Sequence, residues 1–280
     1  MRNGIIVDSA CDVDKKYIED ENCIIAFVPL TLQVEDKVFT DDENLCIDEY
    51  LAHMEASSLG VKTSAPSPGS FLERFGLADN IFVVTLSNKL SATYQSAVTA
   101  KRMYMEEYSK KFIHIFDSLS ASVGEGVIAL KIAELLKNGI PNANVVDQVN
   151  QFMKGMRTYF ILDKYDNLIK TGRINPYIAK IASFLNVKPI CADDQKGEIK
   201  LLDKARGYTK SMKRLVEIIK ANTPDIETRI ISIAHVKCLE KALALKDELL
   251  KHLTVKDIMI QECRGLTTTY ANRGGLVVAV

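Results

Sequence analysis

The sequence predicts an α/β protein of two lobes pressed together, the first built on a mainly parallel sheet and the second on a mixed one. Three observations carry that reading. Up to about residue 157, Val- and Ile-rich runs alternate with segments of helical period, which is the pattern of βαβ units. Beyond it, an apolar run, a turn at Asp194–Gly197 and a second run read as a hairpin and break the alternation. Apolar residues make up 47% of the 280, which allows a sizeable core, and no linker-like composition separates the halves. The expected division is therefore 1–157 and 158–280, in contact.

In chain order, "GIIVD" (4–8) and "CIIAFVPLTLQV" (23–34) read as strands. A helix is expected over 47–58, with Tyr50, Leu51 and Met54 on one side. A short helix follows over 66–76, closed by Gly76. An apolar strand (80–87), a long helix (about 90–108), a strand (112–118) and a helix over 121–138 come next. Asn138-Gly139 supplies the last stop. The following helix is expected to be capped by Asn144. In the second half, 158–163 is a strand and 167–186 carries two short helices. The hairpin over 187–207 precedes an amphipathic helix from Lys210, a strand (228–236) and a helix (238–253). Two closing strands are expected over 257–280.

Composition excludes several classes. Lys plus Arg (36) equals Asp plus Glu (36), so there is no electrostatic case for nucleic acid or an anionic membrane surface. Six cysteines without a C-x-x-C pair suggest free thiols in a reducing cytosol. The apolar run near the start is too short for a secretory h-region, and no stretch reaches the ~18 apolar residues of a span. A cytoplasmic protein without stable membrane insertion is expected. His53, His114, His235 and His252 are far apart in sequence, so no metal site is expected.

The candidate motifs centre on hydroxyls. "VTLSNKLSATYQSAV" places Ser87, Ser91, Thr93 and Ser96 where a strand hands over to a helix. A nucleophile elbow at Ser91 would need small residues at 89 and 93, which are Lys89 and Thr93. Thr63 and Ser64 precede a Pro-x-Pro turn at another helix start. Hydroxyls and free N–H groups at such starts hold a negatively charged oxygen without a formal cation. Gly124-x-Gly126-x-x-Ala129 lies too far from its strand for a dinucleotide fingerprint, and close helix packing explains it better. No phosphate loop exists. Asp8 and Asp117 end strands, where each is a helix N-cap or a ligand-site carboxylate, the cap being favoured for each singly.

"KTSAPSP", "TLSNKLSATYQSA", "FDSLSASVGEG", "FILDKYDNLIKTGRI", "LNVKPI" and "ARG", in that order, resemble the DegV family of bacterial fatty-acid-binding proteins over nearly the whole chain. The resemblance implies a long-chain fatty acid, such as palmitate or oleate, in a tunnel between or beside the two lobes. It implies a carrier for phospholipid synthesis that presents the carboxylate to a separate fatty acid kinase, needs no cofactor or metal and has no catalytic residues. Transient membrane contact fits such a carrier. The carboxylate-binding Thr of the family corresponds to Thr63, with Ser64 beside it, and the family serine to Ser91. Ala92 stands where the family usually has Gly. Tyr270 stands in the place of a family His, with Arg273 for the Gly that follows. Arg173 and Arg206 match arginines near the ligand mouth, the second linked in the family with kinase docking. The alternative is a serine-dependent acyl hydrolase or transferase using Ser91.

Overall fold

The computed structural model describes residues 2–108 and 111–280. Strand β1 (Asn3–Asp8) leads to β2 (Cys23–Val28), its parallel neighbour. The run 23–34, expected as one strand, is two. Pro29 has no N–H to donate to a ladder, and the chain leaves the sheet there. β3 (Thr31–Val34) instead joins β4 (Lys37–Thr40) and, past α1 (Ile47–Ala56), β5 (Val61–Ser64) in a three-stranded antiparallel sheet. Strands β4 and β5 are additional to the expected elements. The two-residue loop between β3 and β4 has Glu35 at φ 54°, as hairpin turns require.

Helix α2 (Pro68–Phe75) starts on the Ser67 cap and ends at Gly76. Then β6 (Asn80–Thr85), α3 (Thr93–Glu107) and β7 (Phe112–Asp117) complete a parallel sheet ordered β2-β1-β6-β7. Its residues alternate between two cores, as strand geometry demands. Ile6, Ile81 and Val83 face Phe71 and Phe75 of α2 and Ala97 and Ala100 of α3. Ile5, Val7, Phe82 and Val84 face α4 (Val123–Lys137). α5 (Asn142–Gly155) follows. Asn144 does not cap it: Pro141 holds the N-cap position, accepting from Val145 N at 2.9 Å, and Asn144 lies inside the first turn. Gly139, at φ 71°, turns the chain, so the helix starts at once.

The second sheet opens at β8 (Thr158–Ile161). After α6 (Asp166–Lys170) and α7 (Pro176–Ala182) come the expected hairpin strands β9 (Val187–Asp193) and β10 (Ile199–Arg206). α8 (Tyr208–Asn222), β11 (Ile230–His235), α9 (Leu239–His252) and β12 (Asp257–Glu262) follow. The chain ends with α10 (Gly265–Ala271) and β13 (Leu276–Ala279). The closing segment is therefore strand, helix, strand, not two strands. Three successive threonines in α10 read as β-favouring from sequence. The order is β10-β9-β8-β13-β11-β12, so the last strand is wedged antiparallel between β8 and β11. One face packs on α8 and α9 through Ile231, Ile233 and Val278. The other meets α4 through Cys191, Ala234 and Val277.

Helix α4 thus lies between the two sheets, touching β1 and β6 on one side and β11 and β13 on the other. That position accounts for its apolar character all round. Gly124 and Gly126 serve close packing: a Cβ on Gly126 would stand 3.1 Å from Asp12 O. A Cβ on Gly124 would overlap Ser120 Oγ and stand 2.5 Å from Thr158 Oγ1. Gly→Ala inside a helix ordinarily stabilises by about 1 kcal/mol. Here overpacking of about 1–3 kcal/mol outweighs it, and Gly124→Ala is expected to lower the urea midpoint. A raised midpoint would show that the sheets do not grip the helix.

Candidate functional site

The carboxyl ends of β1, β6 and β7 converge, and ligands bind at such an edge of parallel sheets. Here that edge is roofed by the second sheet and by α10, and a cavity of about 270 Å³ lies between. Leu86, Leu90, Phe160, Leu162, Leu168 and Val277 form much of its wall. Asp8 and Asp117, at two of the strand ends, neither cap helices nor line the cavity. Asp8 Oδ1 accepts from Ala10 N at 2.9 Å and Oδ2 from Leu86 N at 2.8 Å. Asp117 Oδ1 accepts from Asn88 N at 3.1 Å and Leu119 N at 3.2 Å. Both carboxylates staple the loops that form the cavity floor.

The hydroxyl knot divides its work. Ser87 is buried; its Oγ donates to Gly197 O at 2.7 Å and accepts from Lys89 N at 3.2 Å. It locks the β6–α3 loop to the hairpin turn of the second sheet. Ser91, half-buried, lines the cavity, and its Oγ lies 2.9 Å from Thr93 Oγ1. Among the described residues no histidine or carboxylate hydrogen bonds to Ser91. Ala92 takes the N-cap position of α3 at φ −76°, ψ 2°. That conformation needs no glycine, so alanine fits where a positive φ would have excluded it. The first N–H groups of a helix have no intrahelical acceptors, and those of α3 start beside the cavity.

Thr63 reaches the same space from β5, and Tyr270 from α10; Thr63 Oγ1 and Tyr270 Oη are 2.8 Å apart. Arg173, in the turn after α6, completes this end, with Nε donating to Leu90 O at 3.3 Å and Nη1 to Thr171 O at 2.6 Å. The site is therefore not made of neutral groups alone. Ser64, the neighbour of Thr63 on a strand, points to the other face and is exposed. Arg206 is also exposed and does not line the cavity. The Ile199 end of β10 reaches the cavity, and Arg206 lies seven residues along, roughly 23 Å away at ~3.3 Å per residue.

Residues that sequence reasoning passed over hold Tyr270 in place. Arg264 N donates to Asp12 Oδ1 at 2.6 Å, and Gly265 N and Leu266 N donate to the two oxygens of Asp41, both at 2.8 Å. Further along α10, Tyr50 Oη lies 2.6 Å from Thr269 Oγ1, and Asn167 Nδ2 donates to Thr269 O at 2.7 Å. These contacts span more than a hundred residues and leave no periodic trace. Among the described residues no group of three or more His, Cys, Asp or Glu is placed to hold a metal ion. No helix among them is long and apolar enough to cross a membrane.

Fold and site together define a three-sheet α/β protein that encloses an apolar cavity with a hydroxyl-lined end. Comparison with known proteins places that class. The model of the family described as "Uncharacterised protein, DegV family" matches residues 2–280, and the chain belongs to the DegV family. A DegV domain-containing protein of Streptococcus pneumoniae is 34% identical over 275 residues, covering 98% of this chain and 97% of its own. A DegV family protein of Ruminococcus gnavus, solved with vaccenic acid, superposes with TM-score 0.94 at 37% identity, covering 100% of this chain and 99% of its own. The Fatty Acid Kinase (Fak) B3 protein of Streptococcus pneumoniae, loaded with linoleic acid, gives 0.94 at 32% identity, with the same coverage.

Burial behind the cavity floor sets a pH dependence. Desolvation pushes Asp8 and Asp12 up to about 7, despite the hydrogen bonds they accept. Glu125, fully buried, is driven well above the usual carboxylate range by desolvation and by Asp8 and Asp12. The native state then keeps protons that the unfolded chain releases near pH 4. The stability held by Asp8 and Asp12 is complete below about pH 4 and is lost as pH rises through about 7. Each retained proton gives a slope of about −1.4 kcal/mol per pH unit in that window. Urea unfolding at pH 5.5 and 7.5 is expected to show the higher midpoint at 5.5, with a smaller difference in Glu125→Gln. Equal midpoints in the parent chain would contradict this.

Proposed function

We propose that the chain binds a long-chain fatty acid in this cavity and presents its carboxylate to a separate fatty acid kinase. The observation that carries the reading is the gathering of Thr63, Tyr270, Ser91 and Arg173 at one end of an apolar cavity. The cavity's wall is apolar and its polar end is suited to a carboxylate: hydroxyls and a guanidinium donate, and the α3 start adds free N–H groups. Burying an acyl chain yields ~0.8 kcal/mol per methylene. About sixteen carbons thus give roughly 10 kcal/mol before ordering costs. The tail carries the affinity and the polar end orients the head. The acids bound by the Ruminococcus gnavus and Streptococcus pneumoniae relatives support the ligand class, and the name of the latter supports the kinase.

The reading assigns no catalytic residue and needs no cofactor. A hydrolase using Ser91 gains no support, because the Ser91 hydroxyl's side-chain neighbour is Thr93, not a base. Arg206, remote from the cavity and exposed, is assigned to kinase docking. Transient membrane contact is assigned to the segment around Arg173, where Ile169, Tyr177, Phe184 and Leu185 are exposed.

Mass spectrometry of the denatured protein, purified from lipid-replete cells, is expected to release long-chain fatty acid. A chain that carries none and takes up neither oleate nor palmitate would sink the carrier reading. In a reconstituted kinase assay Ser91→Ala and Tyr270→Phe are expected to slow phosphorylation about tenfold each, the effect of one lost hydrogen bond, while retaining bound acid. Arg206→Ala is expected to slow it through a raised KM for the carrier. Silent Ser91 and Tyr270 variants would overturn the head-group assignment.

A further inference from the structure

The cavity has a second polar region, which the proposed head-group contacts leave unused. Thr158, Phe160 and Leu162 all line the cavity, as alternate residues on one strand face do. Leu162 marks the head-group end. A Cβ on Gly275 would stand 3.0 Å from Leu162 Cδ2 and 2.9 Å from Ala271 Cβ, and Ala271 adjoins Tyr270. Thr158 lies four residues back along the strand, about 13 Å at ~3.3 Å per residue. There Ser120 Oγ and Thr158 Oγ1 are 2.6 Å apart, and Asp193 Oδ2 accepts from Thr158 N at 2.7 Å. Asp193 Oδ1 accepts from Gln195 N at 2.9 Å. Ser120, Thr158 and Asp193 are all cavity-lining residues.

Two hydroxyls and a half-buried carboxylate face the cavity in this region. One hydroxyl hydrogen is used between Ser120 and Thr158. The other partner in reach is Ala121 O, 3.4 Å from Ser120 Oγ. The Asp193 carboxylate offers about four lone-pair sites to two N–H donors. The carboxylate and the hydroxyl oxygens suit a donor on the ligand. A methylene chain supplies none, whereas a hydroxyl on the chain supplies one. A second carboxylate would meet Asp193 and the neighbouring Glu198 with the same charge.

We propose that the cavity selects acyl chains carrying a hydroxyl in their distal half, with Thr158 and Asp193 as its acceptors. This specificity rests on the fatty-acid reading above. The ligand class is a long-chain hydroxy monocarboxylic acid, as against a plain acid or a dicarboxylic acid.

Delipidated protein would be titrated with stearate, 2-hydroxystearate, 12-hydroxystearate and octadecanedioate by displacement of a fluorescent fatty acid. The 12-hydroxy acid is expected to bind about tenfold tighter than stearate, as one added hydrogen bond to a charged acceptor would give. The 2-hydroxy acid and the diacid gain nothing. Thr158→Val and Asp193→Asn each shrink the preference while stearate affinity stays within about twofold, which also reports that the variants fold. Equal binding of stearate and 12-hydroxystearate overturns the specificity and leaves the carrier reading standing, as does a preference that survives both substitutions. Failure of all four acids to bind overturns both.

Discussion

Asp41 and Asp12 accept hydrogen bonds from three successive backbone N–H groups, those of Arg264, Gly265 and Leu266, where α10 begins. The helix belongs by sequence to the second lobe and is fixed by these carboxylates to the first. Both are almost fully buried, and burying a carboxylate costs several kcal/mol unless its lone pairs are used. The backbone donors use them, and they in turn would each cost about 1–3 kcal/mol if left unpaired. The arrangement leaves α10 one position to occupy. Tyr270 meets Thr63 only because that position is set.

Helix α4 plays the same part for the sheets. Its glycines let Ser120, Thr158 and Asp12 close around it, and its apolar residues fill the space between the two sheets. The cavity is what remains where α4 begins: Leu119–Ser122 on one side, β8 on the other, α10 above. Its wall is a by-product of two cores that stop short of each other. Apart from Thr267 and Tyr270 on α10, its polar residues sit on strand ends and loops, where side chains can vary without disturbing either core.

Much of this was legible in the sequence, for reasons that can be named. β1 and β6 show because a strand buried on both faces reads as a continuous apolar run. The hairpin of β9 and β10 shows because its turn residues are local signals. Pro29 is an equally local signal and divides the run 23–34. β4 is short, and three of its four residues are exposed or half-exposed polar or aromatic groups, so it leaves little pattern. α10 could not be read from propensity, because its threonines favour strands. Its helix exists through tertiary hydrogen bonds and the back-bonding of Thr269 Oγ1 to Gly265 O at 2.8 Å. For the site, the order of short motifs pointed to Thr63, Ser91, Ala92, Arg173 and Tyr270, which the fold gathers. It could not show that Ser64 faces away or that Arg206 lies at the far end of a strand. Both are matters of strand phase and reach. Asp12, Asp41 and Asn167 act across distances at which no spacing rule operates.

Thr63 and Tyr270 are proposed to hold the ligand's carboxylate. The most direct test is the carbon-13 resonance of palmitate labelled at its carboxyl carbon, bound to the parent chain and to Tyr270→Phe. A single bound resonance, resolved from that of free acid and displaced in Tyr270→Phe at unchanged stoichiometry, is what the structure predicts. A bound resonance that Tyr270→Phe leaves in place would put the head group elsewhere in the cavity and contradict the account.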